Sequence, residues 1–525
     1  MASTQHTNLL LLLQQQLEAA RSHDDAVRAR NTAGQIIQVP GTGKKISTAY
    51  EQLRNAAEYT EEHLLLQRAI RRFYKRAFSY LVKPNLRNIG EELIVELTQA
   101  GYLRNGEFSL ETAVQLTNLV QQYMHTYGEM RQAHVSRDDA LDWTLSILSV
   151  ESEGILNPHS HFNALAYAAY QHYLTLFPRE GLIVESSEIE TYDICLYIAV
   201  HQAILKSDIS IVRHDLMNMY HQTPSELHDF ITFNRRATEL FTAPLTQRIK
   251  RAVSKHGAPM RIIKGLLEDR QDLPELLPDR EGFLTAFGQQ TEKEYKQVHS
   301  RLNKGIVKSI IFILITKVII GVGVEVPYDL IVIGSVEILP LAINLLVPPL
   351  YMAGLKLGLK VPSQANAHTL RNYIEKALYT NEQPITPSLR NATKTVSAAS
   401  KWLYGLLFLI PFAVTVYILL LLHFNPIQMV IFFVFLSTAS FLGFRLSSMI
   451  RELELVSHQS NAISTFRDFF YLPFILVGQW LSSKYARINA VANVLDIAIE
   501  VPLKTTLRLL RQWTRFLNEK HDEIY

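Results

Sequence analysis

Residues 309–326 read SIIFILITKVIIGVGVEV, and residues 329–352 read DLIVIGSVEILPLAINLLVPPLYM. Each stretch is apolar over about the 20 residues that an α-helix needs to cross roughly 30 Å of hydrocarbon. Each also carries a charge inside its apolar run, Lys317 in the first and Glu337 in the second. The two stretches therefore predict a pair of membrane-spanning helices joined by a tight turn at Glu325–Asp329.

Two further apolar stretches lie at 402–423 and 427–447, so the sequence predicts four spans arranged as two hairpins. The chain ahead of residue 305 has the polarity of a soluble domain. Its repeated apolar spacing of three and four residues, with few strand signals, predicts helices throughout. The expected fold is all-α, with a large helical cytoplasmic N-terminal domain, a four-helix transmembrane region and amphipathic C-terminal helices.

The domain boundaries follow from these changes in composition. We expect these segments, in chain order: an N-terminal helix and flexible loop (1–47), an all-helical cytoplasmic domain (48–304), transmembrane hairpin 1 (305–353), a cytoplasmic linker (354–401), transmembrane hairpin 2 (402–450), and C-terminal interfacial or amphipathic helices (451–525). Within the domain, one long helix is expected over 48–82 and another over 224–254. The apolar segment 469–481 is short and contains Pro473, which favours an interfacial segment over a fifth span, although both remain open.

Lysine and arginine residues lie on one side of the expected hairpins. The two turns, Glu325–Asp329 and His423–Pro426, contain neither. The segments outside the hairpins are basic, through Arg301, Lys304, Lys308, Lys356, Lys360, Arg371, Lys376, Arg390, Lys394, Lys401, Arg445 and Arg451. The positive-inside rule then predicts a multi-pass protein of the cell (inner) membrane with both termini in the cytoplasm.

Lys317 and Glu337 each lie ten residues from Pro327, so an antiparallel hairpin would bring them to a similar depth. Isolated charges at the centre of a bilayer cost about 3 kcal/mol or more, which predicts an intramembrane charge pair. The pair could set the register of the hairpin, or it could form an ion or proton pathway. Glu325 and Asp329 could attract a cation at the outer mouth, or they could simply be water-exposed turn residues.

The second span has residues that break helices or free backbone carbonyls, namely Pro340, Asn344, Pro348 and Pro349. Such residues are typical of a discontinuous transporter helix, and also of a kinked packing helix. In the fourth span, Ala439 and Gly443 form a small-xxx-small pair that favours close helix packing.

Two basic helix faces are candidate surfaces for anionic lipid or an acidic partner. They consist of Arg68, Arg71, Arg72, Lys75 and Arg76 in the domain, and Lys504, Arg508, Arg511 and Arg515 near the C-terminus. Their spacing places each set along one side of a helix. A solvated face beside a buried one is the alternative for the first set.

The sequence gives no support for catalysis. The single cysteine, Cys195, excludes an intramolecular disulfide, and its apolar neighbours predict a packed thiol. His159 and His161 form a pair without the further ligands of a zinc motif, so we predict no metal and no cofactor. A net charge of +3 does not favour a nucleic-acid partner.

Two functions fit these patterns. The first is a membrane-anchored scaffold or binding protein that acts through its helical cytoplasmic domain, because most of the folded mass is there. The second is an oligomeric ion or proton transporter or channel that uses Lys317 and Glu337. Four spans are few for a pore in one chain, so the second function predicts a homo-oligomer. The first predicts a protein partner.

Overall fold

A computed structural model of the chain describes most of its residues. The described residues are 9–41, 43–57, 62–79, 86–177, 179, 182, 186–270, 272–336, 338–358, 362–380, 398–455, 462–488, 502–506, 509, 513 and 516. Within them the chain is helical almost throughout. The one β feature of the described part is a single antiparallel bridge between Ile36 and Ser109. The all-α prediction is confirmed.

Twenty α-helices form the described chain. In order they are α1 (Leu9–Asn31), α2 (Lys44–Ala57), α3 (Leu65–Ser79), α4 (Ile89–Ala100), α5 (Leu110–Gln132), α6 (Arg137–Leu156), α7 (Ser160–Leu176), α8 (Tyr192–Val200), α9 (Ile209–Met219), α10 (Leu227–Thr242), α11 (Pro244–His256), α12 (Ala258–Asp269), α13 (Leu273–Leu276), α14 (Arg280–Ile320), α15 (Val326–Tyr328), α16 (Ile338–Gly358), α17 (Gln364–Glu375), α18 (Ala398–Leu421), α19 (Pro426–Arg451) and α20 (Ala462–Ile488). Wider π turns occupy His201–Leu205, Gly321–Glu325, Asp329–Ile333 and Lys376–Thr380.

Several helices begin where a short polar side chain can accept a backbone N–H. Ser109 accepts from Thr112 at the start of α5, and Ser136 accepts from Asp139 at the start of α6. Asp208 accepts from two N–H groups at the start of α9. Such caps satisfy donors that the first helical turn leaves open, and each stabilises its helix by about 1 kcal/mol.

The helical domain is built around two apolar cores. One lies among α3 to α6 and is centred on fully buried residues such as Ile70, Leu93 and Leu116. The other joins α1, α7, α8, α11, α12 and the start of α14, and it includes Leu13 and Phe287. Helix α1 therefore belongs to the domain core and is not a separate N-terminal element.

Two of the long helices expected in the domain are each divided. The segment 48–82 contains α2 and α3, with a 3-10 turn at Glu62–Leu64 ahead of α3, and 224–254 contains α10 and α11 with Ala243 between them. Pro244 is the first residue of α11, where its missing N–H costs nothing. A proline of this kind starts a new helix and so ends the preceding one.

The linker expected at 354–401 contributes to the domain core where it is described. Helix α17 buries Leu370, Tyr373 and Ile374 in the same core as α1 and α7. The Tyr373 hydroxyl lies 2.7 Å from Nε2 of His172, and Tyr379 donates to the carbonyl of Leu277 at 2.7 Å. The sequence did not predict that this segment packs in the core, because only one face of α17 is apolar and the segment as a whole is polar.

The prediction of a turn at Glu325–Asp329 is wrong. The helical path of α14 continues through the π turns and α15 as far as Ile333, and the chain reverses at Gly334, which has a φ of 85°. A left-handed φ of this size favours glycine. The helix passes Pro327 because the π turns on either side supply the local adjustment that proline needs.

Among the described residues, two helices are long and apolar enough to cross a membrane, Arg280–Val332 and Pro426–Arg451. The described parts of two others, Ile338–Gly354 and Gly405–Leu421, are apolar but shorter. We call residues 306–333, α16, α18, α19 and α20 the apolar bundle. Helix α20 is continuous through Pro473, and Phe474 stacks on Phe433 of α19.

Candidate functional site

Lys317 is buried in the apolar bundle, with 2% of its surface exposed. Its ammonium group donates a hydrogen bond to Oδ1 of Asn344 on α16. The same group lies 4.3 Å from the centre of the Phe435 ring on α19, a distance suited to a cation–π contact. Three helices therefore hold this charge in place.

Glu325 lies two helical turns beyond Lys317 and is also buried. Nδ2 of Asn344 donates to Oε1 of Glu325 at 2.9 Å, and also approaches the carbonyl oxygen of Gln428 at 3.3 Å. The Asn344 amide thus bridges a lysine and a glutamate, with its oxygen toward the cation and its nitrogen toward the carboxylate. Oε2 of Glu325 is buried without a hydrogen-bond partner among the described residues.

Asp329 is the second buried carboxylate of this face, with 0% of its surface exposed. Nδ2 of Asn425 donates to Oδ1 of Asp329 at 2.8 Å, and Nε2 of Gln428 donates to Oδ2 at 3.0 Å. Asn425 and Gln428 also form the capping box that begins α19. The start of α19 is therefore tied to this carboxylate.

We call these six residues the buried polar network: Lys317, Glu325, Asp329, Asn344, Asn425 and Gln428. The first three, with Gly321, are spaced by four residues and so share one face of the helix. That face passes through two π turns, which are rare and are frequent at functional sites. The spacing of four was a usable sequence signal, but the expected turn concealed it.

The buried polar network contains carboxylates, which are groups that can take up a proton or a small cation. A buried carboxylate without full hydrogen bonding is costly when charged, unless a proton or a cation joins it. Glu325 has a free acceptor oxygen among the described groups, whereas both oxygens of Asp329 accept from amides. Glu325 is therefore the carboxylate of this network whose second oxygen is left without a donor.

Of the two residues in the expected charge pair, Lys317 belongs to the buried polar network. Lys317 contacts Asn344 and Phe435, and Glu337 lies outside the described residues. Glu325 and Asp329, expected in a water-exposed turn, are instead helical and buried. The turn was misplaced because Pro327 and Asp329 are typical turn residues, and tertiary packing overrides that preference here.

The proline residues expected to break a second span do not interrupt α16. Pro348 and Pro349 lie inside the continuous helix α16, and Pro340 lies in its first turn, where a proline has no preceding carbonyl to clash with. Asn344 is fully buried and points into the network. Ala439 and Gly443 are buried on α19, and Ala439 packs with Ile313 and Met352.

The first basic face, on α3, lies largely against the domain itself. Arg71 pairs with Asp142 at 2.6 Å, Arg72 pairs with Glu51 at 2.6 Å, and Arg76 pairs with Glu96. Arg68 is half-buried, whereas Lys75 is exposed. Contact of this face with lipid stays a prediction.

Lys504, expected to face lipid, is 8% exposed and lies against the helical domain. Its ammonium group is 3.2 Å from Oε1 of Glu51 and 3.4 Å from Oε1 of Glu96. Glu51 and Glu96 therefore attract the ammonium group of Lys504, which the spacing of basic residues alone predicted to face the membrane surface. Arg508, Arg511 and Arg515 lie outside the described residues.

The described residues contain no group of three or more histidine, cysteine, aspartate and glutamate side chains that could hold a metal ion. Cys195 is fully buried, and burial raises the pKa of its thiol. No family model, curated protein or solved structure matches this chain.

Proposed function

We propose that this chain is a multi-pass membrane protein that moves protons or small cations through its apolar bundle, with Glu325 as the group that takes up and releases the ion. One observation carries the proposal. The Glu325 carboxylate is buried among apolar helices, and Oε2 has no hydrogen-bond partner among the described residues. Ionisable groups inside membrane regions are expensive and are characteristic of ion pathways.

Four members of the buried polar network have a role in this proposal. Lys317 is the internal counter-charge, and Asn344 couples it to Glu325 through one amide. When a proton or cation reaches Glu325, the pull of Glu325 on the amide weakens and Lys317 keeps its contact with Phe435. Asp329 lies one turn beyond Glu325, toward the start of α19, and attracts cations to that end of the network.

The proposed topology has four spans with both termini in the cytoplasm, supported by the one-sided distribution of lysine and arginine. Cys195 is buried, so a Cys195→Ala background allows single cysteines to be introduced at the exposed positions His423 and Lys75. In intact cells, a membrane-impermeant maleimide should label the cysteine at 423. It should label the cysteine at 75 only after permeabilisation. The reverse pattern contradicts the topology.

Ion flux into proteoliposomes tests the transport proposal. The natural sequence should carry protons, Na⁺ or K⁺ down a gradient, and Glu325→Gln should abolish that flux. The matched control is Glu239→Gln, which makes the same change at a surface residue that is 56% exposed. Folded natural protein that carries none of these ions contradicts the proposal. So does Glu325→Gln protein with unchanged flux.

A four-span chain leaves little room for a pore of its own, so the proposal includes a homo-oligomer. Mass measurement in mild detergent should give a multiple of the 60.0 kDa chain. A strictly monomeric protein that still carries flux would place the pathway within one bundle and overturn the oligomer.

A membrane-anchored scaffold is the second candidate. It is favoured by α14, whose 41 residues run without a break from the domain core into the apolar bundle. A partner bound to the domain would thus be held rigidly at the membrane. Cross-linking in cells should then recover a specific protein on the helical domain, and recovery of none would remove this candidate.

A further inference from the structure

Helix α14 has two different faces where it leaves the helical domain. One face is buried against the domain and the apolar bundle, through Val298, Leu302, Ile306, Ile313 and Lys317. The opposite face is exposed, and it carries first the cations Arg301, Lys304 and Lys308 and then the apolar residues Ile311, Phe312, Ile315 and Ile319. Spacings of mostly three and four residues place both sets in one row, which we call the outer face of α14.

The cations of the outer face form no ion pair in the described part of the chain. Lys304 and Lys308 are exposed and lie one helical turn apart. Arg301 donates a hydrogen bond to Gln297 at 3.4 Å, and the nearest acid that feels its charge is Glu294, two turns closer to the domain. The outer face therefore presents positive charge that no described side chain pairs, which favours an anionic partner.

The apolar part of the outer face continues directly from these cations. Its four side chains are each more than half exposed, so no other described element covers them. From Lys308 to Ile319 the helix rises about 16 Å at 1.5 Å per residue. One leaflet has a similar depth, because the hydrocarbon core is about 30 Å thick. A phospholipid has its groups in this same order, with a charged headgroup followed by acyl chains that cross one leaflet.

We propose that the outer face of α14 binds an anionic phospholipid in preference to a zwitterionic one. The headgroup phosphate lies at Lys304 and Lys308, and an acyl chain runs along Phe312 and Ile315. The proposal rests on the membrane location of the apolar bundle but not on ion transport, since Lys317 lies on the opposite face. A second copy of the chain is the competing occupant, but a symmetric contact through this face would bring like charges together.

Fluorescence quenching by lipids with brominated acyl chains tests the site. In a Cys195→Ala background, Phe312→Cys is labelled with a small fluorophore, and the full-length protein is reconstituted with phosphatidylglycerol and phosphatidylcholine, one of them brominated. Phosphatidylglycerol should bind beside position 312 at least about fivefold more tightly, which is what one cation near an anionic surface contributes. The same label at Val430→Cys, an exposed position of α19, should give a ratio near one.

Variants assign the preference to the cations of the outer face. Lys304→Gln combined with Lys308→Gln should bring the ratio at position 312 to near one. The matched control is Lys293→Gln combined with Lys296→Gln, which removes the same charge from exposed positions of the same helix nearer the domain. This control should keep the preference. A preference that survives the loss of Lys304 and Lys308 would have another source, and the proposal would fail.

The remaining outcomes separate this proposal from the others. A ratio near one in the otherwise natural chain overturns it and leaves the apolar bundle in ordinary lipid. Quenching at position 430 without quenching at position 312 means that protein covers the outer face, which also overturns it. Quenching at neither position removes the bundle from the membrane, and the proposal with it. Protein that carries no ions but prefers phosphatidylglycerol at position 312 would contradict transport alone.

Discussion

At the scale of single residues, the proposed function depends on the amide of Asn344, which joins Lys317 to Glu325. Replacing Asn344 with leucine keeps the number and branching of the side-chain heavy atoms but leaves the Lys317 ammonium and the Glu325 carboxylate buried without the amide that joins them. Breaking a buried charge network by removing one member costs about 3 to 5 kcal/mol. We expect Asn344→Leu to lower the thermal unfolding temperature in detergent strongly.

The control for this substitution is Asn372→Leu, at an exposed position of α17. The charges themselves are tested by Lys317→Met and Glu325→Gln, alone and combined. If they compensate each other, the double variant will be more stable than the sum of the single effects predicts. If the effects of the two substitutions on stability are strictly additive, Lys317 and Glu325 do not stabilise each other.

Glu153 gives the stability of the helical domain a defined pH dependence. Burial, with the charge of Asp208, raises the pKa of its carboxyl from 4.5 to about 8, although the N–H of Gln67 opposes the shift. The folded chain therefore holds a proton between these pH values that the unfolded chain has lost. The free energy of unfolding should fall as pH rises through this window, by at most about 1.4 kcal/mol per pH unit.

Denaturation of the natural chain and of Glu153→Gln at pH 5 and pH 8 measures this effect. Since the amide cannot ionise, the free energy of unfolding of the variant should increase relative to that of the natural chain as pH rises. The exposed Glu239→Gln variant should instead follow the natural chain at both pH values. Parallel curves for Glu153→Gln would show that this carboxyl does not titrate in the window.

At the scale of elements, α19 and α20 approach each other closely at Gly478. A Cβ atom at this position would lie 2.1 Å from the carbonyl oxygen of Ser437 and 2.7 Å from Cβ of Phe441. Neither atom is the flexible end of a side chain, so the helices themselves must move. We expect Gly478→Ala to cost about 1 to 3 kcal/mol, the usual range for overpacking.

Gly405 on α18 is the matched position, because nothing lies within 4 Å of a Cβ built there. Gly405→Ala should be neutral or slightly stabilising, since alanine favours helix more than glycine does. Thermal unfolding in detergent compares the two variants. Equal effects would mean that α19 and α20 do not pack through Gly478.

The helices themselves were largely predictable from the sequence, and their ends were less so. The apolar spacing of α3, α5 and α7 survives in the structure because each buries one face in a core. The failures have local causes: Pro327 suggested a turn that π geometry avoids, and Pro244 begins a helix inside a segment expected to be continuous. Hydropathy recognised where the apolar helices are, but not the residue at which each reverses.

The buried polar network was accessible to sequence reasoning only in part. An isolated lysine in an apolar run marked Lys317 as unusual, and Asn344 was recognised as a polar residue of the next helix. Gln428 could not have been paired with Asp329, because 99 residues separate them and only the packing of α19 joins them.

At the scale of the whole molecule, Arg261 joins the helical domain to the apolar bundle. Its guanidinium group donates to the carbonyl oxygens of Ala203 and Ser254 in the domain, and to that of Glu452 just beyond α19. Lys206 pairs with the Glu452 side chain at 2.6 Å, and Ile450 packs against Leu302 of α14. These contacts therefore help to hold the end of α19 against the domain.

Arg261→Lys should weaken this junction although the charge is kept, because a lysine cannot reproduce a fork of donors directed at three carbonyls. Losing hydrogen bonds from a charged group costs about 1.5 to 3 kcal/mol each. We expect the natural chain to unfold in one transition and Arg261→Lys in two, with the segment after Arg451 more accessible to a protease in the variant. Lys264→Arg, on the same helix and paired with Glu268, is the control and should leave one transition. One cooperative transition in Arg261→Lys would mean that the other contacts couple the domain to the bundle without the Arg261 fork.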